Sequence, residues 1–242
     1  MRLRIELTTR ATVIPWDDVL RPGRGVIYHL LGRSAPMVAG RLHEQGWGPH
    51  RMVPFGYGAP VFPRARTRRG RYAAGGPGTW ELGSPLPGMV DTWVEALSGQ
   101  DILSWSGIPL RIRGLVPMAP PSFASGRAEF RTSTPVVTRA PVLTRGGEGV
   151  RRSADLLPYE DGFIAAFTHN LRHKAETLGM EPNITVERVT WVGAKRSFAV
   201  KDGRQVGAPL GVELRGSPAL LRALWCWGLG HANSAGFGWI TA

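Results

Sequence analysis

The sequence predicts an α+β protein in which the same pattern of strands and helices occurs twice. Apolar residues alternate with polar ones in several short segments, as in half-buried strands, and recur at helical spacing in others. The 242 residues, 43% hydrophobic and 20% charged, suffice for two domains of roughly 120 residues, each with its own core. Adjacent prolines at positions 120 and 121 interrupt the pattern in mid-chain, because proline disfavours both helix and central strand.

The first half is predicted to have the element order β-α-β-β-α-β. Its opening strand, RLRIELT, places Leu3, Ile5 and Leu7 on one face. Two helical segments, RPGRGVIYHLLGR and APMVAGRLHEQ, precede two predicted strands, RMVPFGYG and GTWELGSPL. The amphipathic segment GMVDTWVEALSG and the alternating segment IPLRIRGLVPM complete the half. This is the element order of a ferredoxin-like fold.

The second half is predicted to repeat that order after a linker at residues 118–123. Strands are expected within RAEFRTSTPVVTRAPVLTR, and a helix in YEDGFIAAFTHNLRHKAETLG, where Phe163, Phe167 and Leu171 share one stripe. The strands NITVERVTWV and PLGVELRG, a helix capped by Ser217 and a final strand, FGWITA, follow. We therefore expect two tandem ferredoxin-like domains, residues 1–118 and 119–242. The expectation rests on element order, since the halves show no sequence repeat.

The charge of the chain points to nucleic acid as its partner. Lys and Arg number 30 against 18 Asp and Glu, for a formal net charge of +12, as expected of a protein that binds a polyanion. Lysine occurs only at Lys174, Lys195 and Lys201, so most of the positive charge is guanidinium, which grips phosphate bidentately.

The sequence argues against a membrane protein and against a disulfide scaffold. It contains no apolar stretch of about 18 residues, so no membrane partner is expected. Cys226 is the only cysteine, which excludes a disulfide within the chain and a cluster of thiolate metal ligands. A reducing, cytoplasmic location is the expectation.

The segment GLGHANSAGFGW near the end of the chain is a candidate phosphate-binding loop. Glycine permits positive φ and close approach of the backbone, so consecutive amides can form an anion site. Turn geometry alone, a helix end at Gly228 and a bend at Gly236, is the simpler alternative. The density of glycine favours phosphate contact. The segment lacks the nucleoside-triphosphate and dinucleotide motifs.

Other polar residues suggest proton transfer and backbone binding rather than metal chemistry. His169 and His173 have the i, i+4 spacing of a helical metal site but lack the adjacent glutamate of the metalloprotease signature, so no metal site is expected. His43 lies in the last predicted turn of its helix, and imidazole suits proton transfer near neutral pH, although a histidine at a helix end is more often a surface residue or a cap. The arginine-rich segment PRARTRRGRY is either a solvated hairpin tip or a clamp on a nucleic-acid backbone, and Lys195 and Arg196 could extend the same surface.

Together, these segments resemble the CRISPR-associated endoribonucleases that cut repeat RNA into guide RNAs, within the repeat-associated mysterious protein superfamily. The likeness is carried by GVIYHLL, RLHEQGWGPHRMVPFGYG, FRTSTPVVT and GLGHANSAGFGW, in the family's order, and it spans the chain. It implies tandem ferredoxin-like folds and metal-independent cleavage without a cofactor. The ribose 2′-hydroxyl would attack the adjacent phosphate, leaving a 2′,3′-cyclic phosphate and a 5′-hydroxyl.

The resemblance also implies roles for individual residues. His43 matches the family's catalytic histidine, as general base or acid, and Tyr28 matches a tyrosine that assists it in some members; Tyr28 could equally be core. Where some relatives have a lysine, this sequence has His50 and Arg51. Either His50 would serve as a second proton shuttle or Arg51 would stabilise the charge of the phosphorane, and the resemblance does not decide between them. The residues expected to bind RNA are Arg66, Arg68, Arg69, Lys195, Arg196, Gly228, Gly230, His231, Asn233, Ser234, Gly236 and Gly238.

The expected partner is CRISPR repeat RNA, the precursor of guide RNA. Other subunits of a CRISPR effector complex and a second copy of the chain are further candidate partners. The alternative to an enzyme is a non-catalytic RNA-binding subunit of such a complex, which would hold RNA without cutting it.

Overall fold

The computed structural model describes residues 1–66, 69–142, 152–200 and 203–241. The elements of the first half are β1 (Arg2–Thr9), β2 (Val13–Ile14), α1 (Arg21–Ser34), α2 (Pro36–Glu44), β3 (Gly56–Tyr57), β4 (Tyr72–Ala73), β5 (Gly76–Gly83), α3 (Met89–Leu97), β6 (Ile102–Trp105) and β7 (Ile108–Met118). Those of the second half are β8 (Arg127–Arg131), β9 (Thr138–Val142), β10 (Arg152–Leu156), α4 (Phe163–Thr177), β11 (Ile184–Val192), β12 (Arg196–Val200), β13 (Gly203–Gly207), β14 (Leu210–Gly216) and α5 (Pro218–Trp227). No helix in these ranges is both long and apolar enough to cross a membrane.

The first half is a ferredoxin-like fold built on one antiparallel sheet, in the order β3-β5-β1-β7-β6. The predicted alternation in β1 is confirmed, because Leu3, Ile5 and Leu7 are all buried. α1 packs against both α2 and α3. β7 ends at Met118, where we propose the boundary between the two domains.

The second half repeats the fold with a shorter sheet, in the order β11-β14-β8. α4 buries the predicted stripe of Phe163, Phe167 and Leu171 against it. The predicted cap of α5 is also confirmed, since the Ser217 side chain accepts a hydrogen bond from the Leu220 amide at 3.2 Å. The tandem ferredoxin-like architecture is thus the one predicted.

The predicted final strand is wrong. Within 237–241 only Ile240 forms a β-bridge, with Thr132 beside β8. Gly236 and Gly238 have φ of +89° and +64°, and these left-handed conformations curl the chain instead of extending it. The last segment contacts both halves, since Ile240 bridges to Thr132 in the second half and Phe237 packs in the core of the first.

A β-hairpin of the second half, β12 with β13, lies against the first half and was not predicted. Phe198 of β12 belongs to the core of the first half, together with Val137 and Phe237. β12 also contacts α1. The two halves therefore share packing, and residues from both can line one pocket.

Arg2 joins the two halves from the first strand. Its side chain is fully buried, donating to the carbonyls of Trp225 at 2.7 Å and Ile240 at 2.8 Å. The guanidinium lies 4.3 Å from the ring centre of Trp225 and 3.9 Å from that of Trp239. Burial lowers the pKa of Arg2 to about 9. These contacts fix the end of the chain to β1.

Candidate functional site

A pocket of about 690 Å³ opens between α1, α2 and the β12–β13 hairpin. α1 and α2 meet at a sharp junction, because Ala35 ends one helix and Pro36 begins the next. The junction holds the C-terminal end of α2 beside the middle of α1. The lining residues are Arg21, Arg24, Gly25, Tyr28, Ala39, Gly40, His43, Ala199, Val200 and Ala235.

His43 and Tyr28 contact each other in this pocket. His43 is exposed in the last turn of α2, and its ring meets that of Tyr28 edge-on, with centroids 5.5 Å apart and planes at 85°. The Tyr28 hydroxyl is buried and has no hydrogen-bond partner in the part of the chain described. Burial raises the pKa of Tyr28, so the phenol is neutral near pH 7 and can donate a proton or a hydrogen bond.

Arg21 and Arg24 give the pocket positive charge, and the motif analysis missed both. The Arg24 guanidinium lies 5.4 Å from the Tyr28 ring centroid. Arg21 pairs with Asp18 at 2.6 Å and also lines the pocket. Positions 21, 24 and 28 follow the i, i+3, i+7 spacing of one helix face, so helical periodicity could have found them.

His50 and Arg51 lie at a different pocket from His43. They follow α2 in a turn closed by the bridge between Trp47 and Met52. The second pocket, of about 290 Å³, is lined by His50, Arg51, Met52, Val53, Asn170, His173, Trp227, His231, Ala232, Asn233 and Ser234. The structure therefore places neither His50 nor Arg51 in the pocket of His43, where one of them was expected to take the third catalytic role.

Both side chains already have partners within the protein. His50 Nε2 hydrogen-bonds to the Glu176 carboxylate, and Arg51 Nε donates to the carbonyl of Gln45 at 3.2 Å. The close fit of the turn explains this placement. A Cβ at Gly48 would lie 2.5 Å from the Thr177 carbonyl oxygen, so the turn is held against the end of α4.

The second pocket brings together histidines from both halves. The ring of His50 stacks on His173 with centroids 3.8 Å apart, and His173 lies 3.9 Å from His169. Possible ligand atoms of His50, His173 and Glu176 lie within 4.8 Å of one another, so these three residues could hold a metal ion. Spacing in the sequence could not reveal them, because they come from two distant segments.

Several backbone amides of the glycine-rich segment after α5 are already hydrogen-bonded within the protein. The amides of Gly228, Gly236 and Gly238 donate to protein carbonyls, those of Leu224, Asn233 and Pro135 respectively. A Cβ at Gly238 would lie 1.8 Å from the Leu229 carbonyl oxygen. Each of these three amides, predicted to contact phosphate, therefore already has a hydrogen-bond partner within the protein.

The side chain of Asn233, which was predicted to contact RNA, forms hydrogen bonds within the protein. Its side-chain amide donates to the carbonyls of Leu229 at 3.0 Å and Phe237 at 2.8 Å. Its Oδ1 accepts from Lys174 Nζ, which is fully buried over the Trp227 ring. Burial lowers the pKa of Lys174 well below its usual value. Asn233 therefore fixes the shape of the segment.

Within the glycine-rich segment, the partly exposed residues are the ones that a ligand can reach. His231 and Ser234 both line the second pocket, whereas Gly230 is buried against Val137. Burial, with Lys174 and Arg139 nearby, lowers the pKa of His231 to about 4. His231 is therefore neutral near pH 7.

The C-terminal half of the sequence decides the family. The family model described as "CRISPR associated protein Cas6, C-terminal" matches residues 118–242. The chain belongs to the Cas6 family. None of the curated proteins matches this Cas6 chain by sequence.

Solved structures share the fold of this Cas6 chain over its whole length. A Cas6-related protein of Pyrococcus furiosus is 16% identical with a TM-score of 0.79, covering 100% of this chain and 97% of its own. A protein titled "An RAMP protein binding different RNA substrates" is 14% identical with a TM-score of 0.80, and the match covers 100% of this chain and 98% of that protein. A Thermus thermophilus Cas6 in a product complex is 18% identical with a TM-score of 0.68, and the match covers 99% of this chain and 98% of that protein. At sequence identities this low, the structural similarity shows a shared fold and nothing more.

The predicted basic surface of this Cas6 chain lies where its two halves meet. Arg66 and Arg69 of the arginine-rich loop and Lys195 and Arg196 beside β12 are all exposed, whereas Arg68 lies outside the described residues. Trp16 links the two regions: its indole N–H donates to the Gly70 carbonyl at 2.9 Å, and its ring centroid lies 6.2 Å from that of Phe198. Loop and hairpin are therefore neighbours.

Proposed function

We propose that this Cas6-family chain is an endoribonuclease that cleaves CRISPR repeat RNA, with its chemistry in the pocket of His43 and Tyr28. The observation that carries the proposal is the edge-on contact of an exposed imidazole and a buried phenol beside two arginines. The product complex of a Thermus thermophilus Cas6, which shares the fold, supports it.

The proposed reaction needs neither a water molecule as nucleophile nor a metal ion to activate one. The ribose 2′-hydroxyl attacks the adjacent phosphorus, the bond to the 5′-oxygen breaks, and the products are a 2′,3′-cyclic phosphate and a 5′-hydroxyl. One group must remove the proton of the 2′-hydroxyl and another must protonate the departing 5′-oxygen. His43 is the group for one of these transfers, since imidazole serves as base or acid near neutral pH.

The neighbours of His43 suit the remaining tasks. The Tyr28 hydroxyl has no protein partner among the described residues, so a phosphate oxygen or the 5′-oxygen can accept its hydrogen bond. Arg21 and Arg24 can stabilise the charge of the pentavalent phosphorane, a task that requires no proton transfer. We therefore propose these arginines for the charge-stabilising role, and Arg51, which lines the second pocket, for binding.

The second part of the proposal concerns RNA binding by the basic surface. Arg66, Arg69, Lys195 and Arg196 would hold the RNA backbone by its phosphates, and phosphate contacts position RNA without reading its bases. His231 and Ser234 would extend that contact from the second pocket. Repeat RNA is thus the proposed partner, and a cytoplasmic location, a second copy of the chain and other effector subunits remain predictions.

The chemistry can be tested by cleavage of a repeat RNA in excess chelator, with analysis of the new ends. We expect a single cut that leaves a 2′,3′-cyclic phosphate and a 5′-hydroxyl. A 2′-deoxy substitution at the cut site should abolish cleavage without weakening binding, because it removes the nucleophile alone. Cleavage that stops with chelator and returns with Mg²⁺ would refute the mechanism.

A second candidate is an RNA-binding subunit that does not cut. The separation of His50 and Arg51 from His43 favours it, because the described residues then give the pocket of His43 a single imidazole. In that case the chain would bind repeat RNA tightly, and long incubation would leave both the RNA and its ends unchanged.

A further inference from the structure

The cluster formed by His50, His173 and Glu176 is not used in the proposed reaction. His50 belongs to the turn after α2 in the first half, and the other two belong to α4 in the second. We infer that this cluster is a binding site for a divalent transition-metal ion, with Zn²⁺ as the best match. The inference goes beyond the proposed function, since the ion would join the two halves and take no part in RNA cleavage.

The kind and number of the ligands support a zinc site. Two imidazoles and one carboxylate are a ligand set that zinc accepts, with a fourth position left for water. The possible ligand atoms lie within 4.8 Å of one another, and His50 Nε2 is already in contact with the Glu176 carboxylate. Bonds of about 2 Å to one ion therefore require adjustments of roughly 1 to 1.5 Å at most in the distances between these atoms. Side-chain rotations supply movements of this size, and all three side chains are only partly buried.

The orientation of the two imidazole rings shows which side-chain movement metal binding requires. His50 and His173 are nearly parallel, at 17°, and a nitrogen lone pair lies in the plane of its ring. One ring must therefore turn about its Cβ–Cγ bond before both nitrogens can face one ion. Binding would also replace the hydrogen bond between His50 and Glu176 by bonds to the metal.

The charges around the cluster are mixed. Glu176 supplies a negative charge, whereas Arg51, which lines the same pocket, is a cation and opposes the binding of another cation. The two imidazole nitrogens would therefore carry much of the binding.

A buried amide beside the cluster provides a further reason to expect a ligand here. Asn170 lines the same pocket and is 2% exposed, and neither its Nδ2 nor its Oδ1 has a partner within the described residues. A histidine that binds a metal usually donates its second ring N–H to an oxygen acceptor, which fixes the ring. The Asn170 carbonyl oxygen is an acceptor of that kind.

The test is zinc binding by the full chain, free of RNA and of any histidine tag. After titration with Zn²⁺ and removal of the excess, we expect about one zinc per chain by elemental analysis and a higher melting temperature. Co²⁺ in place of Zn²⁺ should give the visible absorption of a four- or five-coordinate site. Less than one zinc per five chains would overturn the inference.

Matched variants separate this site from adventitious binding. His173→Phe keeps an aromatic ring to stack on His50 but removes a ligand, and Glu176→Gln removes the charged oxygen ligand; each should weaken zinc binding at least tenfold. His169→Gln, which changes a histidine outside the ligand set one turn away, should bind zinc as the unmodified chain does. Equal zinc affinity in His173→Phe and the unmodified chain would refute the site, whatever the outcome of the cleavage assay.

Discussion

The ring of His43 stands edge-on to that of Tyr28, at 85°, although the two residues belong to different helices. The junction at Ala35 and Pro36 produces this contact by turning α2 back along α1. An exposed imidazole thereby lies beside a phenol that is held neutral. The first predictions concern this contact.

Tyr28→Phe is expected to slow cleavage about 10- to 100-fold, because it removes a proton or hydrogen-bond donor while keeping the ring. The free energy of unfolding should stay the same or rise slightly, since the buried hydroxyl has no partner among the described residues and its removal relieves a desolvation cost. Single-turnover cleavage and thermal unfolding measure the two effects. Slower cleavage accompanied by a clearly lower melting temperature would show that Tyr28 is only a core residue.

Arg24→Gln is expected to weaken RNA binding and to reduce its salt dependence. Each lost phosphate contact should lower the slope of log K against log salt by about 0.7 to 0.9. Binding measured between about 50 and 200 mM salt gives that slope. Arg222→Gln removes the same charge at an exposed position of α5 away from the pocket, and an equal loss of slope there would show that only net charge matters.

Gly238→Ala is expected to destabilise the fold by about 2 kcal/mol or more, because φ is +64° and the new Cβ would clash with the Leu229 carbonyl. Gly32→Ala is the control: it lies exposed in α1 with open space around its Cβ and should stabilise by roughly 0.5 to 1 kcal/mol. Denaturant unfolding compares the two. An unchanged stability in Gly238→Ala, with RNA binding lost, would restore the direct phosphate role.

His231 should make the folded chain sensitive to acid. Its pKa is lowered to about 4, whereas a histidine in the unfolded chain has a pKa of about 6.5. Between these values the unfolded state binds more protons, so the free energy of unfolding rises with pH from about 4 to 6.5. His231→Gln should flatten this rise, and His29→Gln, on the exposed face of α1, should not. A slope that is identical in both variants would contradict the assignment.

Residue patterns predicted the architecture well where each element is long and periodic. β1, β7 and α4 follow their apolar periods, and Ser217 caps α5 as its sequence suggests. The β12–β13 hairpin was missed, because its position depends on packing against α1 rather than on its own pattern.

The candidate site was only partly predictable for the same physical reason. His43 and Tyr28 could be chosen from sequence, but their contact depends on the angle between two helices. Asn233 was expected to contact RNA because the family resemblance places it in an RNA-binding loop, yet its side chain holds the carbonyls of Leu229 and Phe237. The association of His50 with His173 and Glu176 joins residues more than a hundred positions apart, which spacing along the chain cannot show.

The most direct test of the central claim is the single-turnover cleavage rate of a repeat RNA by His43→Ala, measured in chelator beside its binding affinity. We expect the rate to fall by about 10²- to 10⁴-fold, while affinity stays within a few-fold and His29→Ala cleaves normally. Cleavage by His43→Ala at the unmodified rate would contradict the proposal that the chemistry lies between His43 and Tyr28.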